Sequence, residues 1–190
     1  MGIQTMFEVV RNALGGRKEE APGVVVVNPS DGTASGGGYR AAPTVTRPAN
    51  ATPYSAGDVV GGATEFTNMG AAGGHILVTG TDLMVHVAAL PSGMGSFRLH
   101  LYDAAPPSAI ADNAAWDLPA GDRDSYLGYV DMGTPVDVGG TLYVQQENLN
   151  RQFKLGAAQT SLWGYLVTAG AFTPAGNSEV YKPRLRAVGI

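Results

Sequence analysis

Two histidines near the middle of the chain are the first residues whose type and spacing could do chemistry. His86 and His100 lie in two apolar runs, TDLMVHVAAL and SFRLHLYD, which the turn-like segment PSGMG joins. Alternating apolar residues predict two β-strands, and a five-residue hairpin loop would pair Leu90 with Ser96. That register places His86 opposite His100, where two imidazoles could bind zinc or respond to pH. The other polar residues on that face are Arg98, Tyr102 and Asp82. A zinc site needs a third ligand, so two histidines on the wetter side of a half-buried strand are the favoured interpretation.

An acidic segment, residues 103–137, is the second candidate. It holds one base, Arg123, against seven acids: Asp103, Asp112, Asp117, Asp122, Asp124, Asp131 and Asp137. Clustered carboxylates are the ligands that calcium prefers, but the EF-hand spacing is absent. Aspartate is also a common turn residue, because its side chain accepts hydrogen bonds from the nearby backbone. The segment therefore favours structural turns, with calcium binding as the alternative.

Two tryptophans close to acids raise the possibility of carbohydrate chemistry. Asp112 and Asp117 could act as the paired carboxylates of a glycosidase, and Trp116 and Trp163 could stack on sugar rings. Nothing in the spacing selects this reading, and the chain has no cysteine to act as a nucleophile. The nucleophile elbow, the phosphate-binding loop and the H-E-x-x-H zinc motif are also missing from the sequence. The sequence predicts a protein that is not an enzyme and needs no cofactor or metal.

The elements that would position these residues are short strands. From about residue 54 onward, apolar runs alternate with turn residues and show no helical periodicity. The predicted strands are 56–60, 63–68, 75–79, 81–89, 96–103, 125–131, 141–147, 151–156, 160–168 and 178–188. Strands at this spacing predict an all-β sandwich or barrel. The run SLWGYLV is apolar on both faces, which predicts a central strand or a central strand that also forms part of an interface.

The last predicted strand has two different sides. In EVYKPRLRAV, three bases (Lys182, Arg184 and Arg186) point one way, and apolar residues point the other way. Pro183 has no N–H to donate, which predicts either an edge strand or an unpaired position there. The basic stripe is a candidate partner-binding surface.

The first 52 residues differ in amino-acid composition and apolar pattern from the rest of the chain. Residues 3–14 have apolar side chains at helical spacing, and Gly15-Gly16 would end a short amphipathic helix. Residues 17–53 are rich in Gly, Ser, Pro, Ala and Thr, which is typical of a flexible tether. We expect an extended N-terminal arm over 1–52 and a β-sandwich body over 53–190. The predicted contact residues of the arm are Met6, Phe7, Val10, Val24, Val25, Val26 and Val27. A disordered linker without a partner is the alternative.

Charge separates the chain into patches. The 190 residues carry a net charge of −4, with an acidic 103–137 segment and a basic final strand. Opposite patches could meet head to tail between copies, which predicts a ring-forming homo-oligomer, or they could neutralise each other within one chain. The acidic balance disfavours nucleic-acid binding. No apolar stretch is long enough to span a membrane, and no signal peptide is evident.

The body also resembles a known group of proteins. The strings that carry the resemblance begin TPYSAGDVVGGATEF, HILVTGTDLMVHVAALPSGMGSFRLHLYD and SLWGYLVTAGAFTPAG, within residues 50–190. They are similar to head-decoration, or capsid cement, proteins of tailed bacteriophages. The resemblance implies a jelly-roll-like body, a homotrimer on the outside of the head, and the major capsid protein as partner. It also implies a virion location after synthesis in the host bacterial cytoplasm. The alternative is a baseplate or fibre-associated phage module that binds host glycans.

Overall fold

The strands of the body form two antiparallel sheets. A computed structural model of the protein describes residues 38–190. Its strands are β1 (Gly38–Ala41), β2 (Val45–Thr46), β3 (Val59–Phe66), β4 (His75–Val85), β5 (Phe97–Tyr102), β6 (Tyr126–Gly133), β7 (Val136–Asp137), β8 (Leu142–Lys154), β9 (Leu162–Thr168) and β10 (Val180–Gly189). The first sheet has the order β1-β10-β4-β8-β7, with β2 also paired to β10, and the second has the order β3-β9-β5-β6.

This strand order is that of a jelly roll. Strands β1 and β2 act as one strand, because both pair with β10 in the same register. With the two-residue β7 set aside, the first and last strands are then neighbours in one sheet. The second strand and the second-to-last strand, β3 and β9, are neighbours in the other sheet. The predicted all-β sandwich is therefore confirmed, and its connections form the double Greek key of a jelly roll.

Alternation along the strands places the core between the two sheets. In β5, Phe97, Leu99 and Leu101 are fully buried, and in β4 the same holds for Leu83 and Val85. These side chains join one hydrophobic cluster that draws on both sheets. The period-two pattern of the sequence identified these inward residues correctly. The central position predicted for SLWGYLV is also confirmed, since β9 lies between β3 and β5.

The predicted hairpin between β4 and β5 is wrong. The two strands belong to different sheets: β4 pairs with β8 and β10, whereas β5 pairs with β6 and β9. His86 is therefore not opposite His100, whose register partners are Tyr129 and Tyr165. Alternation shows which side of a strand is buried but not which strand lies beside it. Both apolar faces reach the core when the connection crosses from one sheet to the other.

The last strand, β10, is not at an edge. It lies between β4 on one side and β1 with β2 on the other. The shared register of β1 and β2 places Pro43, in the gap between them, opposite Pro183. Neither proline can donate a backbone hydrogen bond. The gap between β1 and β2 therefore occurs at the position where neither this segment nor β10 has an N–H group to pair. The second alternative for Pro183, an unpaired position, fits this arrangement on the β1–β2 side.

The body begins earlier than the sequence predicted. Residues 38–46 fall inside the predicted tether, yet they form β1 and β2, and Ala41 and Val45 are buried. The small-residue composition of 17–53 concealed these strands, because few large side chains mark them. The helix predicted over 3–14 and the contact residues Met6, Phe7, Val10 and Val24–Val27 lie outside the described residues. Within residues 38–190, no helix is long and apolar enough to cross a membrane.

Candidate functional site

The outer face of the first sheet carries the basic stripe. Along β10, the half-exposed Lys182, Arg184 and Arg186 alternate with the buried Tyr181, Pro183, Leu185 and Ala187. The two sides predicted for this strand are thus confirmed. Because every second residue of the neighbouring strands also points outward, the stripe belongs to a surface that extends over several strands.

Rows of residues across the sheet define this surface. Lys182 lies beside Met84, which lies beside Tyr143. The next row contains Arg184, Asp82 and Gln145, and the next contains Arg40, Arg186, Gly80 and Glu147. Lys154, the last residue of β8, and His75, the first residue of β4, form a further outward pair. We call this set of outward residues on β1, β4, β8 and β10 the open face.

Two bases of the open face are already paired. The Nη1 atom of Arg184 lies 3.1 Å from Oδ1 of Asp82, and Nη1 of Arg186 lies 3.4 Å from Oε1 of Glu147. A Cβ atom added at Gly80 would lie 3.0 Å from Nη2 of Arg186, so this glycine leaves room for the guanidinium against the sheet. Lys182 and Arg40 make no ion pair with any described residue. Neutralisation within the chain is therefore partial, and its acids come from β4 and β8 rather than from residues 103–137.

The open face has a net positive charge. It carries two acids, Asp82 and Glu147, against five bases: Arg40, Lys154, Lys182, Arg184 and Arg186. Most of these side chains remain half-exposed or exposed. Such a surface can form charge-assisted hydrogen bonds with carboxylates of a partner.

The outer face of the second sheet is closed by a loop. Val59, Tyr102, Tyr165 and Val167 point outward from this sheet and are buried. Partly buried apolar residues that pack against them include three from the β5–β6 connection: Ile110, Trp116 and Leu118. This connection, residues 103–125, contains most of the predicted acidic segment. The basic stripe and most of the acidic segment thus lie on opposite outer faces of the sandwich.

The aspartates of this segment mainly accept hydrogen bonds from backbone N–H groups. Asp122 is fully buried and accepts from Ser108, and Asp112 accepts from Gly61. Asp117, Asp131 and Asp137 each accept from a residue one or two positions further along. The predicted structural role in turns is thus confirmed for Asp117, Asp131 and Asp137, whereas Asp112 and Asp122 join segments that are distant in the chain. Within 38–190, no three His, Asp or Glu side chains gather into a potential metal site.

His100 lies in an aromatic stack beneath the loop. Its ring is 3.8 Å from that of Trp116 and 5.3 Å from that of Tyr129, and Nδ1 lies 2.9 Å from the hydroxyl of Tyr126. Burial, assisted by the nearby charge of Arg98, lowers the pKa of His100 to about 4. The predicted solvent-facing role is wrong for His100, whereas His86 is exposed.

The two tryptophans pack against the second sheet. Trp116 and Trp163 are only partly exposed. Both pack against the buried cluster on the outer face of this sheet, which consists of Val59, Tyr102, Tyr165 and Val167. His100 covers one face of the Trp116 indole. Asp112 accepts a 2.6 Å hydrogen bond from the hydroxyl of Tyr54, whereas Asp117 is exposed. The contacts of Trp116 and Asp112 are those of residues that fix a loop in place.

A buried charged network escaped the sequence reasoning. Arg47 and Glu179 are almost fully buried, and Nη1 of Arg47 lies 3.9 Å from Oε2 of Glu179. The Nε of Arg47 donates to the hydroxyl of Tyr54, whose own proton goes to Asp112. The hydroxyl of Tyr181 donates to Glu179 over 2.9 Å. Burial raises the pKa of both tyrosines well above the ordinary value. Arg47 lay in the predicted tether, and only the adjacent apolar residues Val45 and Tyr54 could have signalled its burial.

Comparison with known proteins gives matches among solved structures alone. No family model matches the chain. No curated protein matches it either. A structure of Israeli acute paralysis virus heated to 63 degrees is 11% identical, covers 90% of this chain and 82% of that chain, and has a TM-score of 0.31. A mud crab dicistrovirus structure is 13% identical, with coverages of 89% and 77% and a TM-score of 0.32. A Desmodium yellow mottle tymovirus structure is 14% identical, with coverages of 90% and 95% and a TM-score of 0.28. TM-scores at this level carry no argument, so the fold assignment rests on strand order.

Proposed function

We propose that the chain is a non-catalytic virion structural protein, a capsid cement or decoration protein. It binds the outside of a tailed-phage head and bridges neighbouring major capsid subunits. The observation that carries this proposal is the jelly-roll order of the two sheets. The resemblance of residues 50–190 to head-decoration proteins implies a jelly-roll-like body. The strand order of the two sheets, an independent observation, is that of a jelly roll. Fold alone does not determine function, so the surfaces must also suit the role.

The outer faces of the body favour contact with a large partner. One outer face is an open sheet with evenly spaced charged and amphipathic side chains, and the other is closed over an aromatic cluster. A cement protein needs a rigid body that rests on a shell and a second contact that reaches a neighbouring subunit. We propose that the N-terminal arm supplies the second contact through Met6, Phe7, Val10 and Val24–Val27. An arm tethered to a docked body has a high effective concentration, so weak contacts of its own can hold.

The proposal includes a homotrimer on the head, as the resemblance implies. Three bodies would bring three arms to one site, and multivalent binding would slow release from the shell. The protein would be made in the host bacterial cytoplasm and would join the head during assembly.

A deletion and add-back experiment tests the proposed function. Heads from a phage stock without this gene should open at lower temperature than complete heads, and purified protein should restore their heat resistance. The restoration should saturate at a fixed number of copies per head. Heads that never bind the added protein, and that withstand heat equally well without it, would contradict the proposal.

A further inference from the structure

We propose that the body docks through the open face of the first sheet and that the occupant is an acidic protein surface of the shell. This inference rests on the proposed function and adds the side and the chemistry of contact. The open face is basic, whereas the opposite face is closed by the loop that holds most of the acidic segment. An acidic shell would attract the first face and repel the second, which orients the body as it approaches.

The composition of the open face suits a protein better than a nucleic acid. Asp82 and Glu147 lie among its bases and would repel phosphates. The row of Lys182, Met84 and Tyr143 continues to Val136, whose side chain is 59% exposed. Arginine, tyrosine and methionine are the residue types enriched in protein interfaces. A mixed surface of this kind can match acidic and apolar groups together.

The first described strand, β1, lies at an edge of the same sheet. Thirty-seven residues precede Gly38, the first residue of β1, and β1 is an edge strand of the first sheet. Arg40, two residues later, lies beside Arg186 on the open face. A chain that leaves the body here starts next to the proposed contact, so arm and open face can engage one shell together.

The open face is also partly preorganised. Asp82 holds Arg184, whose side chain is only 19% exposed, and Arg186 packs beside Gly80. Side chains that are already fixed lose less rotamer entropy on binding. Lys182 and Arg40, which make no ion pair within residues 38–190, remain available for carboxylates of the partner.

Charge reversal on the two outer faces tests the inference. The probe is purified heads from a stock lacking the gene, titrated with full-length protein at low and at physiological salt. The test variant is Lys182→Glu with Arg40→Glu, neither of which breaks an ion pair within the described chain. The matched control is Arg98→Glu with Arg123→Glu. It changes the net charge of the protein by the same amount, but on the opposite side of the sandwich, which the β5–β6 loop closes. Melting temperatures of both variants establish that they fold.

The expected result is a loss of affinity confined to the open face. The test variant should bind heads roughly tenfold more weakly, or worse, with a reduced dependence on salt, while the control stays within about twofold of wild type. Equal binding by both variants would overturn the inference and leave the proposed function standing. Failure of wild-type protein to bind heads would instead overturn the proposed function.

Two further outcomes would also reject the named occupant. If wild-type protein binds duplex DNA at physiological salt and the test variant does not, the open face serves a nucleic acid. If sedimentation shows that the test variant has lost self-association while its affinity for heads is unchanged, the open face serves a second copy.

Discussion

The imidazole of His100 lies against the indole of Trp116, with ring centroids 3.8 Å apart and planes inclined by 34°. His100 belongs to β5, and Trp116 belongs to the loop that closes the second sheet. Their contact, with Tyr126 hydrogen-bonded to Nδ1, fixes the loop over the outer face. Burial in this contact favours the neutral form of the imidazole, so the pKa of His100 is lowered.

Acid should destabilise the body through His100. Its pKa is about 4 in the folded protein because of burial, against an ordinary value of 6.5. The stabilisation is complete above pH 6.5 and falls as the pH drops toward 4, because the unfolded chain takes up the proton first. The full loss of stability is about 3 kcal/mol.

Denaturant unfolding of wild type and His100→Gln between pH 7.5 and 4 measures this decrease in the free energy of unfolding. The variant should show a smaller decrease, and His86→Gln, at an exposed position, should behave like wild type. A decrease of equal size in all three would contradict this account.

Removing Arg47 should leave a buried carboxylate without its cation. Arg47→Met is expected to lower the free energy of unfolding by about 3 kcal/mol, because Glu179 stays buried and unpaired. Adding Glu179→Gln to this variant should recover part of the loss, since the remaining amide can still pair with Tyr181. Urea denaturation of both single variants and the double variant gives the coupling free energy. Strictly additive losses would show that the two side chains do not interact.

Gly61 should tolerate no side chain. Its φ is +83°, and a Cβ atom there would overlap Cγ1 of Val45. Gly57 has a similar φ of +92° but no atom within 4 Å, so it controls for backbone strain. Gly61→Ala should lower the free energy of unfolding by about 2 kcal/mol more than Gly57→Ala, because overpacking adds to strain. Adding Val45→Ala to Gly61→Ala should restore part of the difference. Equal losses for the two glycines would mean that β2 does not pack there.

The body should fold without the residues that precede β1. A chain of residues 38–190 keeps both sheets and Arg47, so we expect its melting temperature to stay within a few degrees of the full chain. A chain of residues 53–190 lacks β1, β2 and the Arg47–Glu179 pair, and it should unfold below room temperature or aggregate. Thermal melts followed by circular dichroism compare the two. Similar melting temperatures for both chains would contradict this prediction, since the body would then begin near residue 53, as the composition of the sequence suggested.

Local patterns in the sequence predicted burial better than they predicted neighbours. Period-two alternation correctly assigned Leu83, Leu99 and Leu185 to the core, since each lies on the apolar side of its own strand. The pairing partners of β4 and β5 depend on contacts distant in the chain, and a hairpin satisfies the same local pattern as a crossing between sheets. The turn role was correctly predicted for the aspartates whose hydrogen bonds are local: Asp117, Asp131 and Asp137. Asp112 and Asp122 instead accept from backbone N–H groups that are distant in the chain, which no local pattern reveals. His100 was misplaced because the loop that covers it, centred on Trp116, follows later in the chain.

The N-terminal part of the body was missed for a physical reason. Strands β1 and β2 contribute few large apolar side chains, and backbone pairing with β10 holds them in place. The sequence around Arg47 predicts an exposed side chain. Its burial becomes understandable only when Glu179 and Tyr54 are seen to share its site.

A cryo-EM map of purified particles of the proposed phage tests the central claim most directly. The account predicts density for the jelly-roll body on the outside of the head, at positions that bridge neighbouring capsid subunits. The open face, with Lys182 and Arg40, should point toward the shell, and the loop that carries Trp116 should point away from it. Complete particles whose heads carry no density for this protein would contradict the account.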